Sequence, residues 1–212
     1  IIGAGNVGAL TAMHCARENL GEIVLVDILK GMAKAKAFDL QDCRAILRAP
    51  YTIDGTDDIA RIKDSQVVVI TAGLARKPGM TREDLLNKNA AILKEVSAAI
   101  RTSCPQATVV VVTNPLDVMT YYVLKATGFP KQRVCGMGLT LDGSRMSNLI
   151  SKELNIKVTD IQATVIGSHG ETMMPLARFT KVREKTLDQI LSLKEQESLV
   201  TMTKGRGKEI VS

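Results

Sequence analysis

The chain has 212 residues, 45% of them hydrophobic and 24% charged, which is ordinary for a globular protein and long enough for one large domain or one domain plus part of another. Its net charge of +6 comes from lysines and arginines scattered along the chain. With no basic run and no recognition motif beside them, a nucleic-acid binder is excluded, and no apolar run approaches the roughly 20 residues of a membrane span.

Ile1-Ile2 reads as the end of a strand, and the first half then alternates short β-branched runs with helical patterns. That alternation signals a parallel sheet with crossover helices. A helix is predicted over residues 6–20, where Val7, Leu10, Met13 and Ala16 recur near helical spacing. Strands are predicted at Ile23–Val26, at Val67–Ile70 and over residues 108–112, continuous apolar runs that suit burial on both faces. Arg82–Ser103 reads as a long helix striped by Leu85, Leu86, Ile92, Leu93, Val96 and Ile100, stopped ahead of Pro105.

After Pro115 the alternation fades. Helices are expected over residues 117–127 and 142–153, then an extended stretch over 161–166 and a glycine-rich bend over 167–170. A strand-like run follows near residues 176–182, and a helix over 194–207 with Gly205 and Gly207 near its end. The fold class is therefore α/β. Residues 1–137 are expected to form a Rossmann-type parallel sheet with helices on both faces, its first strand clipped. Residues 138–212 are expected to form a partial α+β substrate domain. Cys15, Cys43, Cys104 and Cys135 stand far apart, three of them in apolar stretches. Buried, reduced thiols in a reducing, cytoplasmic compartment are the expectation.

Gly3-Ala4-Gly5-Asn6-Val7-Gly8 fits G-x-G-x-x-G. The pattern alone is weak, but it follows a strand end, opens a helix, and precedes a second strand ending in Asp27, about 20 residues beyond Gly8. Gly3 permits the tight turn, Gly5 lets the backbone approach a pyrophosphate, and Gly8 lets helix and strand pack closely. The helix N-terminus, with Asn6 and Val7, offers unpaired N–H groups to phosphate. A carboxylate at Asp27 accepts hydrogen bonds from ribose hydroxyls and repels a 2′-phosphate, so NAD is expected over NADP.

Four further motifs follow in order. They are the run from Thr71 to Arg82 (Thr-Ala-Gly-Leu-Ala-Arg-Lys-Pro-Gly-Met-Thr-Arg), then Val112-Thr113-Asn114-Pro115, Leu141-Asp142-Gly143-Ser144-Arg145, and Gly167-Ser168-His169-Gly170. Together they resemble the lactate/malate dehydrogenase family, and in detail its lactate-dehydrogenase-like malate dehydrogenases, through nearly the whole chain. The resemblance implies that His169 is the acid/base group and that Asp142 orients it. Imidazole suits the task because its ordinary pKa lies near 6.5.

It further implies that Arg145 grips the substrate's C1 carboxylate through two parallel hydrogen bonds, a fork that an ammonium cannot offer. Arg82 would polarise the reacting carbonyl, and Asn114 would hydrogen-bond the same oxygen beside the nicotinamide. Asn89, Val112 and Thr113 would touch the cofactor. Gly73 and Gly79 are expected to act as hinges of a loop that closes over substrate. Arg76 stands where lactate-specific relatives carry an uncharged residue. A cation there can pair with the second carboxylate of oxaloacetate, which points to malate and oxaloacetate as the small-molecule substrates.

The chain departs from the family at Glu171, where relatives usually have Asp, at Leu139-Thr140, and at Val182-Arg183-Glu184-Lys185. Lys208-Glu209-Ile210-Val211 resembles a segment that lies about two thirds of the way along family members, so about a third of a complete enzyme is expected beyond these residues. A homo-oligomer, dimer or tetramer, is expected by resemblance alone. The rival readings are a lactate or other 2-hydroxy acid dehydrogenase, and an inactive NAD-binding module.

Overall fold

In the computed structural model residues 1–75 and 79–211 are described, Arg82 and Val211 by their backbone alone. The chain divides into two units, Ile1–Gly136 and Met137–Ser212.

Among its described residues the first unit contains five strands: β1 (Ile23–Val26), β2 (Ile53–Thr56), β3 (Val67–Ile70), β4 (Thr108–Val111) and β5 (Val134–Gly136). Between them run α1 (Asn6–Arg17), α2 (Met32–Asp42), α3 (Arg44–Leu47), α4 (Arg82–Ser103) and α5 (Leu116–Thr127). Strand β1 pairs with β2, and β3-β4-β5 pair in that order, all parallel. Ile2 joins the two sets. It bridges Val26 and Ile70, and its amide donates to the Val69 carbonyl at 2.8 Å while Gly3 donates to Val26 at 2.7 Å. The resulting order, β2-β1-Ile2-β3-β4-β5, is a doubly wound parallel sheet, the Rossmann arrangement expected from the sequence.

Two cores clothe it. One sets Val68, Ile70, Val109 and Val111 against Leu93, Val96 and Ile100 of α4 and Met119 and Val123 of α5. The other is half alanine: Ala12, Ala16, Ala33 and Ala37 let α1 and α2 lie close to Leu25 and Ile53. Tyr51 is buried there, its hydroxyl donating to the Leu40 carbonyl at 2.5 Å, so no polar group is stranded. Helix α4 is capped at its start by Thr81, whose hydroxyl accepts from the Asp84 amide while Asp84 accepts from the Thr81 amide. Hydrogen bonds donated to the Asp84 carboxylate by the Thr81 hydroxyl and then by the Thr81 amide hold it below its ordinary range.

The second unit comprises α6 (Leu139–Leu154), β6 (Ile161–Gln162), β7 (Val165–Ile166), β8 (Met174–Pro175), β9 (Lys181–Val182), β10 (Lys185–Thr186) and α7 (Leu193–Val211). Strands β10-β9-β6 form one antiparallel sheet and β7-β8 another. Met146, Ile150, Ile161, Val182, Leu187 and Leu199 form the core.

Several expectations are corrected. The first helix stops at Arg17, because Asn19 turns left-handed with φ of 50°. Residues 176–182 hold a 3-10 turn, Ala177–Phe179, with strand only at Lys181–Val182. Helix α7 continues through Gly205 and Gly207 to Val211. Of the four thiols only Cys104 is buried, where desolvation pushes its pKa up and its Sγ donates to the Ile62 carbonyl at 2.8 Å; Cys135 is exposed. No helix among the described residues is long and apolar enough to cross a membrane.

Gly55 is where α2 comes closest to the sheet, since a Cβ there would lie 2.1 Å from the Ala33 carbonyl oxygen. Gly55→Ala is expected to push α2 off β2 and to destabilise the first unit by about 2–3 kcal/mol. Urea unfolding of the variant would show a lowered midpoint, and an unchanged midpoint would contradict this packing.

Candidate functional site

The first cluster lies at the head of α1. Its N-cap, Gly5, supplies no side chain and its first turn holds no acid, so the positive end of the helix faces outward at exposed Asn6 and Val7. Gly3 has φ of 106°, and a Cβ on Gly8 would fall 1.8 Å from the Gly3 carbonyl oxygen, so strand end and helix touch through backbone alone. A Cβ on Gly5, by contrast, would meet nothing within 4 Å. That open ground before a helix N-terminus is a cradle for phosphate.

Two side chains brace the turn. Asp27 accepts from the Ala4 amide at 2.7 Å and from the Leu29 amide at 2.9 Å. Thr71 donates from Oγ1 to the Gly3 carbonyl at 3.0 Å. The bracing role of Thr71 was not anticipated. Its only signal in the sequence is a hydroxyl immediately after a buried strand.

The second cluster gathers where β3 and β4 end. The Val112 amide donates to the Ile70 carbonyl at 2.9 Å, and buried Thr113 donates from Oγ1 to Ala72 at 2.7 Å. Asn114 is exposed, and the Asn114–Pro115 peptide is cis. Asn89, expected at the cofactor, is 0% exposed on α4 and bonds main chain at Leu74 and Asn114. Arg82 opens α4, but its side chain is outside the described residues, as is Arg76 altogether.

The third cluster belongs to the second unit. Asp142 sits in the first turn of α6 and is 0% exposed. His169 lies in the loop joining β7 to β8, between Gly167 and Gly170, whose φ values of 92° and 132° no ordinary side chain adopts cheaply. His169 Nδ1 lies 2.7 Å from Asp142 Oδ2, and Arg145, three residues along α6, donates from Nη1 to Asp142 Oδ1 at 3.1 Å. Each carboxylate oxygen thus has its own partner. A buried carboxylate requires this, since an unpaired charge away from water is costly. An acceptor at Nδ1 places the ring proton there and gives proton exchange to Nε2. Arg145 Nε is buried without a hydrogen-bond partner among the described residues.

A phosphate cradle on a parallel sheet, with an imidazole poised on a buried carboxylate elsewhere in the chain, defines a dinucleotide-dependent oxidoreductase. Residues 1–136 match the family model described as the NAD binding domain of lactate/malate dehydrogenase, and residues 139–212 match that of its alpha/beta C-terminal domain. The chain belongs to the lactate/malate dehydrogenase family. It is 47% identical over 211 residues to the malate dehydrogenase of Methanosarcina barkeri, covering 100% of this chain and 69% of the relative. Against that of Salinibacter ruber it is 45% identical over 212 residues, covering 68% of the relative. Among solved structures, the apo malate dehydrogenase of Picrophilus torridus superposes with a TM-score of 0.95 at 40% identity, covering 99% of this chain and 67% of that one.

The two glycines separate folding from binding. Gly5→Ala should leave the melting temperature within about 2 °C, because the added methyl meets nothing, yet weaken NADH binding at least about tenfold by filling the cradle. Gly8→Ala should lower both. Fluorescence titration with NADH alongside thermal unfolding measures the pair. Equal affinity in Gly5→Ala and the unmodified protein would show that the cradle is not the phosphate site.

Proposed function

We propose that this protein catalyses the reversible NAD-dependent interconversion of (S)-malate and oxaloacetate, and that the observation carrying the reading is Asp142, one buried carboxylate shared by His169 and Arg145. Residues 1–137 would form the nucleotide-binding domain and 138–212 the catalytic and substrate domain. Gly3, Gly5, Asn6, Val7 and Gly8 would hold the pyrophosphate and Asp27 the adenosine ribose, with Val112, Thr113 and Asn114 beside the nicotinamide. NAD+ held by these residues would supply the hydride acceptor for malate oxidation.

In malate oxidation Nε2 of His169 takes the hydroxyl proton as the C2–H bond breaks and C2=O forms. The imidazolium that results is stabilised by Asp142, which stays ionised. Arg145 would grip the C1 carboxylate through its guanidinium fork, held in place by Asp142. Arg82 and Asn114 would stabilise charge on the substrate oxygen.

Arg76 would pair with the second carboxylate, and the malate assignment rests on it together with the relatives' activity. A cytoplasmic location and a homo-oligomer complete the proposal. Exposed Leu10, Phe38 and Ile46 on α1 to α3 suit burial against a second copy.

In the full-length protein, Asp142→Asn would present an amide donor to Nδ1, moving the ring proton to Nε2. Malate oxidation should fall about 10²–10⁴-fold in kcat with NADH affinity unchanged. A kcat within twofold of the original would remove the acid/base assignment. Arg76→Gln should shift the ratio of oxaloacetate to pyruvate turnover toward pyruvate by about 10³-fold, because the second carboxylate loses its partner. An unaltered ratio in steady-state NADH oxidation would leave the malate assignment without its residue.

A further inference from the structure

The β7–β8 hairpin that carries His169 rests on very little ladder. Its register pairs Ile166 with Met174 and Val165 with Pro175, and Pro175 has no N–H to contribute. A two-stranded hairpin this short is marginal without support from outside it. Continued by one step, the register sets Thr164 opposite Leu176. The Leu176 amide donates to the Thr164 carbonyl at 2.9 Å, which is half of the bonded pair an antiparallel ladder would make there.

The other half runs through a side chain. The Thr164 amide donates to Thr180 Oγ1 at 3.0 Å, and that hydroxyl donates in turn to the Leu176 carbonyl at 2.9 Å. Thr180 is 0% exposed, and its own carbonyl accepts the Leu187 amide at 2.9 Å, which anchors it in the core of the second unit. Thr164 adds a bond from its hydroxyl to the Phe179 carbonyl at 2.8 Å. One buried hydroxyl thus closes the base of the hairpin, accepting on one side and donating on the other.

This base lies against the helix that bears Asp142. A Cβ on Gly143 would stand 3.4 Å from the Ala163 carbonyl oxygen, so the chain entering the hairpin passes beside Asp142 on α6. Above the base, the Ser168 and Thr172 hydroxyls meet across the loop, and the Met173 amide donates to the Gly170 carbonyl at 3.2 Å. A loop tied within itself in this way is placed by its base. We propose that Thr180 is a positioning residue, whose hydroxyl completes that base and so sets His169 against Asp142. This rests on the functional reading above, which makes His169 the acid/base group. Without the hydroxyl the Thr164 amide loses its acceptor and the ladder frays from below. The imidazole is then displaced while Arg145, on α6, stays. Misplacing a proton-transfer group costs rate and leaves the grip on substrate alone.

Hydrogen exchange in the unmodified full-length protein needs no variant. The Thr164 amide should exchange at least about a hundredfold more slowly than an unprotected amide, and exchange at the rate of an open loop would overturn the proposal. Thr180→Val keeps the shape and removes the hydroxyl. Its kcat for oxaloacetate reduction should fall at least about tenfold, with KM for oxaloacetate and the NADH dissociation constant within about twofold of the original. Thr180→Ser, which retains the hydroxyl, should hold kcat within about threefold. A Ser variant as slow as the Val variant would assign the effect to packing and sink the proposal, as would an unchanged kcat in Thr180→Val. The His169 Nδ1 proton gives a readout independent of turnover. Its NMR signal should persist in the unmodified protein and vanish through exchange with water in Thr180→Val. If the unmodified protein turns over no oxaloacetate, the functional reading fails, while that proton signal still decides whether Thr180 sets His169 on Asp142.

Discussion

A carboxylate that water cannot reach must be neutralised by its neighbours, and the second unit is organised around that requirement at Asp142. Its two oxygens are divided between His169 and Arg145, so a single buried charge orients the imidazole and holds the guanidinium at once. The helix supplies half of the geometry, because residues three apart on α6 share a face. The β7–β8 loop supplies the other half, with glycines at positive φ on either side turning His169 toward α6. Removing the carboxylate would therefore leave both the imidazole and the guanidinium without their shared partner.

In the nucleotide-binding unit the corresponding constraint concerns backbone. Parallel strands end in loops whose N–H and C=O groups lack ladder partners, and unpaired buried groups are rare in folded proteins. Here four polar side chains supply the partners: Asp27 at Ala4 and Leu29, Thr71 at Gly3, Thr113 at Ala72, and Asn89 at Leu74 and Asn114. These loops follow the carboxyl ends of the strands, where ligands bind in open α/β sheets. Side chains that look like binding residues in the sequence are, in the unliganded chain, also the ones that hold the loops in shape.

What the sequence revealed and what it concealed follow from the physics of each segment. Arg82–Ser103 was legible to the residue, since its apolar stripe is continuous and Thr81 and Pro105 punctuate its ends. The strands Ile23–Val26 and Val67–Ile70 were equally plain, being uninterrupted aliphatic runs. Helix α2 was not, because its buried residues are Ala33, Ala37 and Leu40, and alanine leaves almost no hydrophobic pattern. Strand β2 hid behind Asp54-Gly55, although Gly55 is needed for α2 to approach. At the site, spacing and family resemblance brought Asp142 and His169 to notice. Neither could show that Asn89 is sealed in the interior, since burial of a polar side chain on a helix depends on partners supplied by distant loops.

The two edges of the Arg145 guanidinium are unequally satisfied. Nη1 is engaged by Asp142, while Nε is buried with no partner among the described residues. A buried donor left unpaired costs about 1–3 kcal/mol, a sizeable fraction of the net stability of a small unit. A side chain fixed in place before a ligand arrives loses little freedom on binding. Asp142 pins Nη1 while part of the Arg145 side chain stays at the surface, so the guanidinium is held without being sealed off. In the proposed reading the carboxylate that orients the imidazole thus also fixes the group assigned to the acid, and the cost in stability goes with that preorganisation.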